Sequence, residues 1–420
     1  MQQRPDRVMR SIPGYYGWVI VMMSAAAVFL SGPGQTYSVS IFIDAYIEEF
    51  GWSRSLVSAL YAGATLLSGT LMIWFGSLID RFGQRKASIS AAVLLGLACL
   101  FNSLLLGPVM LFFGFFFIRL FGQGLMEMVP NTLVPRWFSA KRGKAFALME
   151  VGGFLSAAVL PPLNVWLIAG AGWQGAWQIW GAILLVCYLP LVILFVRNAP
   201  GDYGLQVDGL SWKESERAGN AIADAGLTLQ QALRSPSFWA VIFCIAVPAM
   251  VNTGLTFHMV SILGEQGLTR GEASFVLSLV ALTAFPLSFL AGAVLDRFPL
   301  PTVFALTFLT EASAVLVLLA GEGYTSAVLF GLLRGTAAGF GTICLALIIP
   351  NFFGTAHLGS LKGVGVTATV TASAIGPLPF GLAFDQFGSY NEILLLMLVF
   401  PLTASFVAWK NKGPVIKRDR

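Results

Sequence analysis

The sequence predicts an all-α membrane protein: twelve transmembrane helices in two six-helix, pseudo-symmetric halves. Three observations carry that prediction. Of 420 residues, 57% are hydrophobic and only 11% charged, whereas a soluble domain carries about a quarter charged residues. The apolar residues gather in runs of about twenty, enough for an α-helix to cross roughly 30 Å of hydrocarbon. The second part of the chain also repeats the first at an offset of 215 or 216 residues.

Six spans are expected at 15–43, 55–79, 87–107, 109–135, 144–169 and 174–197. Six more follow at 237–263, 271–295, 301–321, 324–351, 362–384 and 390–409. The one long hydrophilic stretch, 198–236, divides an N-terminal half (1–197) from a C-terminal half (237–420) and reads as a linker.

Span 1 follows the basic MQQRPDRVMR and lacks a small-residue cleavage site, so it reads as a spanning helix and not a removable signal. Within it lies SGPGQTYS (31–38), a proline between glycines followed by polar residues. Its counterpart in span 7 is Pro248, at the shared offset. Helix breaks at matching positions of two halves point to a solute site near the bilayer midplane, because irregular backbone at that depth must face protein or a wet cavity. Both prolines are therefore expected to interrupt their helices, the alternative being a simple proline kink eased by helix packing.

Spans 2 and 8 open on Ser53-Arg54 and Thr269-Arg270, which fit N-caps. GSLIDRF (76–82) after span 2 matches GAVLDRF (292–298) after span 8. Spans 4 and 10 each carry an arginine, Arg119 and Arg334, with a proline sixteen residues on and an aromatic pair just beyond.

Loop charge orients the chain. Of 25 Lys and Arg, only Arg54 and Arg270 fall in outer loops, and Arg119 and Arg334 fall within spans. The remainder cluster on one side, which predicts cytoplasmic termini in a cell membrane. The net charge of +5 reflects this asymmetry and gives no reason to expect a nucleic-acid partner. The four cysteines are isolated and no His/Cys cluster appears, so no metal, cofactor or disulfide is expected. No nucleophile–base set points to an enzyme.

Ionisable groups inside a bilayer cost several kcal/mol and by default mark function. Arg119 and Arg334 are candidate contacts for an anionic solute. Glu127 and Glu150 each lie about eight residues from an inner helix end, at a common depth near ~12 Å, and are proton-coupling candidates or fixed polar partners. His258, the one histidine in a span, is a candidate for cargo or proton contact, with a satisfied packing residue as the alternative. Gln35, Tyr37 and Asn252 are uncharged hydrogen-bonders near the matched prolines and the preferred cargo contacts. Glu311 reads as peripheral. Asp80, Arg81, Arg85, Asp296 and Arg297 in the repeated loop motif read as a conformational latch, with Gly76 and Gly292 allowing close helix approach, or as loop charge that serves orientation alone.

Six-plus-six spans, the linker and GSLIDRFGQRK (76–86) resemble the major facilitator superfamily, as does IRLFGQG (118–124). Within it, RWFSAKRGKAFALMEVGGFLSA (136–157) is similar to the fifth-helix signature of the monocarboxylate transporter family, and GLTFHMVSILGEQGLT (254–269) to the seventh helix of bacterial members. The resemblance implies the major facilitator fold and a secondary active transporter working by alternating access, a monomer in the bilayer with a small-molecule cargo. It also suggests that Arg119 and Arg334 could instead hold helix-end carbonyls. The cargo implied is a monocarboxylate-type anion moved with a proton. Two departures bear on that: Tyr15-Tyr16-Gly17-Trp18 lacks the family's acidic residue, and 273–295 lacks its carboxylate-binding arginine, with Phe285 and Ser288 in the neighbourhood. A neutral heteroaromatic such as riboflavin, imported by fungal relatives, is the competing cargo. A membrane sensor that binds solute without moving it is the reading from another class.

Overall fold

The protein is described by a computed structural model covering residues 14–139, 141–203, 205–209, 226–354, 357–411 and 413. The amino-terminal tail, residues 204 and 210–225 of the polar linker and the end of the basic carboxy-terminal tail lie outside the described residues. Among those described, twelve helices are long and apolar, as the hydropathy requires. In chain order they are α1 (Gly17–Phe50), α2 (Arg54–Phe82), α3 (Gln84–Asn102), α4 (Pro108–Trp137), α5 (142–171) and α6 (173–195). Then come α7 (Pro236–Glu265), α8 (Arg270–Leu295), α9 (Leu300–Ala320), α10 (Gly323–Phe353), α11 (Leu358–Phe387) and α12 (Asn391–Lys410). Gly172, at φ +70°, separates α5 from α6. An L side chain is strained at that angle, so a glycine marks the boundary of an otherwise continuous apolar run.

The two expected breaks behave differently. In α1 the helix stops at Leu30, a single 3₁₀ turn covers Gly32–Gly34, Gln35 is extended (φ −87°, ψ 148°), and helix resumes at Thr36. Pro248, by contrast, lies inside an uninterrupted Pro236–Glu265 helix, which corrects the expectation of matched breaks. The flanking residues explain the difference. Pro33 sits between two glycines that leave helical geometry at low cost, whereas Pro248 sits between Val247 and Ala249, which keep it.

The chain forms two compact units, Met1–Phe42 with Gly63–Ala221, and Ile43–Ala62 with Ile222–Arg420. In the first unit, the interruption of α1 crosses α4 backbone to backbone. A Cβ on Gly34 would lie 2.2 Å from the Ile118 carbonyl oxygen, and one on Gly122 would lie 2.8 Å from the Gly34 Cα. Here α4 widens into a π-helical stretch, Arg119–Leu125. At one end of the unit, Tyr15, Tyr16 and Trp18 pack around Trp137 and Phe138, with centroids 4.8–6.2 Å apart. The hydroxyls of Tyr15 and Tyr16 donate to the carbonyls of Trp137 and Phe195, both at 2.7 Å. The start of α1 thereby ties down the last turns of α4 and α6. Burial raises the pKa of Tyr15, so this hydroxyl stays a donor. The segment after α6 closes the same end. Asn198 accepts from the Arg85 N–H at 2.8 Å, and Asp208 accepts from the N–H groups of Ser139 and Lys141 at 2.9 and 3.1 Å, satisfying donors just before α5.

In the second unit, α8 begins with a full capping box between Thr269 and Glu272. The residues 43–62 belong to this unit. Arg54 pairs with Asp44 at 2.9 Å and lies over the Phe384 ring, and Asp385 accepts from the N–H groups of Arg54 and Ser55. Glu48 pairs with Arg270. The last stretch before α7 is held by a bond from the Leu227 N–H to the Phe353 carbonyl.

Candidate functional site

The interruption of α1 releases backbone groups, and side chains from two neighbouring helices take them up. Pro33 has no N–H to give the Phe29 carbonyl; Ser156 of α5 donates to that carbonyl at 2.7 Å. Arg119 of α4 donates to the Gly34 carbonyl at 3.3 Å and to Thr36 Oγ1 at 3.5 Å. Arg119 as a whole is 4% exposed, so its charge is spent largely inside the unit.

Polar side chains converge at the same place. The Gln35 amide donates to Glu127 Oε1 at 2.5 Å and to Ser31 Oγ at 3.1 Å. Glu127 lies within electrostatic reach of Glu150, Arg119 and Tyr37. Glu150 is exposed and makes no hydrogen bond to a described residue, whereas Glu127 is half-buried. Tyr37 donates to Ser156 at 2.9 Å. Two carboxylates, one cation and two uncharged hydrogen-bonders therefore meet around one helix break. Such a cluster can hold a polar solute and exchange a proton with it. Sequence reasoning named all five residues but missed Ser156, whose only signal was a serine in the small-residue run after Glu150.

The candidates of the second unit are not gathered in this way. His258 is 1% exposed: Nε2 lies 3.0 Å from the Pro377 carbonyl and 3.1 Å from Ser58 Oγ, and Nδ1 lies 3.1 Å from the Tyr390 hydroxyl. A carbonyl only accepts, so Nε2 carries a proton. The ring also stacks on Phe380, 5.8 Å between centroids. Asn252, six residues earlier, has a buried Oδ1 with no partner among the described residues. Arg334 and Glu311 are both buried and lie within electrostatic reach of one another, yet neither side chain makes a hydrogen bond to a described residue. Glu311, expected to be peripheral, is thus the counter-charge of Arg334.

Of the latch residues, Arg85 donates to the Ile193 carbonyl at the end of α6, at 2.9 Å. Arg81 is exposed and lies over the Phe82 ring; Asp296 and Arg297 are exposed. The Asp80 side chain lies outside the described residues. The expected close helix approach is corrected: a Cβ on Gly76 would meet only Met128 Sδ at 3.9 Å, and one on Gly292 would meet nothing within 4 Å. Tight glycines lie elsewhere, among them Gly34, Gly122 and Gly152.

Twelve apolar helices in a twofold sequence repeat, with a polar cluster at a break in the first, define a polytopic membrane transporter. A family model described as Major Facilitator Superfamily matches residues 18–377, and the chain belongs to that superfamily. It is similar to monocarboxylate transporter 13 of Bos taurus, 25% identical over 94% of this chain and 89% of that protein. An uncharacterized MFS-type transporter of Bacillus subtilis, YcxA, is 24% identical over 86% and 87% of the two chains. Among solved structures, a bacterial homologue of the human lysosomal transporter Spinster superposes with a TM-score of 0.70, covering 96% of this chain and 99% of its own at 15% identity. That likeness shows the fold.

Proposed function

We propose that the protein is a secondary active transporter that moves a small organic anion of monocarboxylate type together with a proton by alternating access. Its halves, 1–197 and 237–420, are joined by the linker 198–236, and both termini face the cytoplasm. The observation that carries the proposal is the Gln35–Glu127 bond at the break of α1, with Glu150 and Arg119 in electrostatic reach. An anion arriving there adds a third negative charge to two carboxylates. At low dielectric that charge is tolerated only if a proton arrives with it. Gln35 and Tyr37 then orient the cargo beside the break that Arg119 holds in place, while Glu127 and Glu150 hold the proton. The likeness to a monocarboxylate transporter supports the choice of an anion.

A second reading rests on the other unit. The stretch 273–295 of α8 has no charged side chain, and Arg334 shares its burial with Glu311. Both features suit a neutral heteroaromatic cargo held by Asn252 and aromatic walls. The test is counterflow in proteoliposomes of the purified protein, with labelled lactate, pyruvate and riboflavin. Anion exchange with riboflavin excluded supports the first reading, and the reverse supports the second. No flux of any solute, with binding intact, would point to a sensor and sink both.

A further inference from the structure

Away from the break of α1, the ends of α2 and α3 and the segment after α6 enclose two adjoining hollows of opposite character. We propose that together they bind one anionic glycerophospholipid, its phosphate on Lys86 and Arg85 and an acyl chain between α2, α3 and α4.

The polar hollow, of about 470 Å³, is lined by Arg85, Lys86, Asn198, Asp202 and Tyr203. Its cations are not used up by the protein. Lys86 is exposed and has no partner among the described residues. Arg85 donates through Nη2 to the Ile193 carbonyl, and its Nη1 has no hydrogen-bond partner among the described residues. Asn198 accepts from the Arg85 N–H through Oδ1, which leaves its Nδ2 as a donor. Against two cations stands one carboxylate, Asp202. A headgroup with one net negative charge on its phosphate and hydroxyls to donate to Asp202 complements that set.

The apolar hollow, of about 330 Å³, runs along Phe75, Leu78, Leu94 and Leu125 and shares Phe82 and Lys86 with the polar one. Phe82 is 52% exposed and Leu78 40%, a wall left bare by the protein itself. A soluble phosphate would fill only the first hollow and leave the second empty. An amphiphile fills both, and basic pockets between helix ends at a membrane surface are the recognised place for such headgroups.

Native mass spectrometry of the full chain in mild detergent tests the assignment, with phosphatidylglycerol, phosphatidylethanolamine, phosphatidylcholine and free glycerol phosphate as probes. One phosphatidylglycerol is expected to be retained about tenfold more tightly than phosphatidylcholine or phosphatidylethanolamine, with about fivefold lost in Lys86→Gln. Ser90→Trp, which fills the apolar hollow from an exposed position of α3 without altering charge, lowers retention too, while Lys144→Gln on α5 leaves it unchanged. Equal retention of all three lipids, preference for phosphatidylethanolamine, or indifference to both Lys86→Gln and Ser90→Trp would overturn the proposal. Glycerol phosphate binding as tightly as the lipid would overturn it as well, leaving a simple anion site.

Discussion

Arg119 is anchored on the carbonyl of Gly34, the last residue of the 3₁₀ turn that interrupts α1. A cation inside the bilayer and a broken helix would each be costly alone. Joined, the guanidinium satisfies an oxygen that the helix cannot, and the oxygen gives the guanidinium a partner. The break is thus a built feature of the first unit, and Gln35 is presented from its edge.

Removing that anchor has a defined consequence. Arg119→Ala leaves a buried carbonyl without its donor and is expected to cost about 2 kcal/mol of stability. Arg119→Lys keeps the charge but loses the planar, multi-donor head, so it rescues only part of the loss. Thermal unfolding in detergent reads both. An Arg119→Ala protein with unchanged melting temperature but no anion uptake would move Arg119 from the scaffold to the cargo.

Gly34 and Gly122 touch backbone to backbone, whereas Gly292 faces open space. Gly122→Ala forces α1 and α4 apart and is expected to destabilise by about 1–3 kcal/mol. Gly292→Ala is expected within ~1 kcal/mol of the parent, since alanine is the better helix former. Equal melting temperatures for the two variants would contradict so close a crossing of α1 and α4.

The apolar runs were legible in the sequence because a bilayer demands long uncharged helices. The α1 break was legible too, since a proline between glycines loses both hydrogen bonding and helical preference. Pro248 was misread for the complementary reason: its α-helical neighbours hold the backbone, and matching position does not imply matching geometry. The contact between Gln35 and Glu127 spans 92 residues of chain, so no local pattern announces it. The pairing of Tyr15, Tyr16 and Trp18 with Trp137 and Phe138 was hidden likewise, though one segment stood out as a family signature and the other as a departure from one.

His258 separates a packing role from a cargo role. Its ring bonds Pro377, Ser58 and Tyr390, so His258→Ala is expected to destabilise by about 3 kcal/mol through a cavity and orphaned partners. Tyr390→Phe, which removes one of those bonds and a bond to Ser261 at 3.1 Å, is expected to cost less. Melting temperatures ordered parent, Tyr390→Phe, His258→Ala fit the packing role. A His258→Ala protein as stable as the parent but unable to bind cargo would refute it.

Proton movement through Glu127 is the claim on which the transport reading turns. Proteoliposomes carrying a pH-sensitive dye in the lumen measure it directly, with lactate or pyruvate added outside in the absence of any imposed gradient. The parent protein is expected to acidify the lumen as the anion enters. Glu127→Gln, which keeps the bond from Gln35 but holds no proton, should not do so, although it still exchanges labelled anion. Lumenal acidification by Glu127→Gln at the parent's rate would contradict the account.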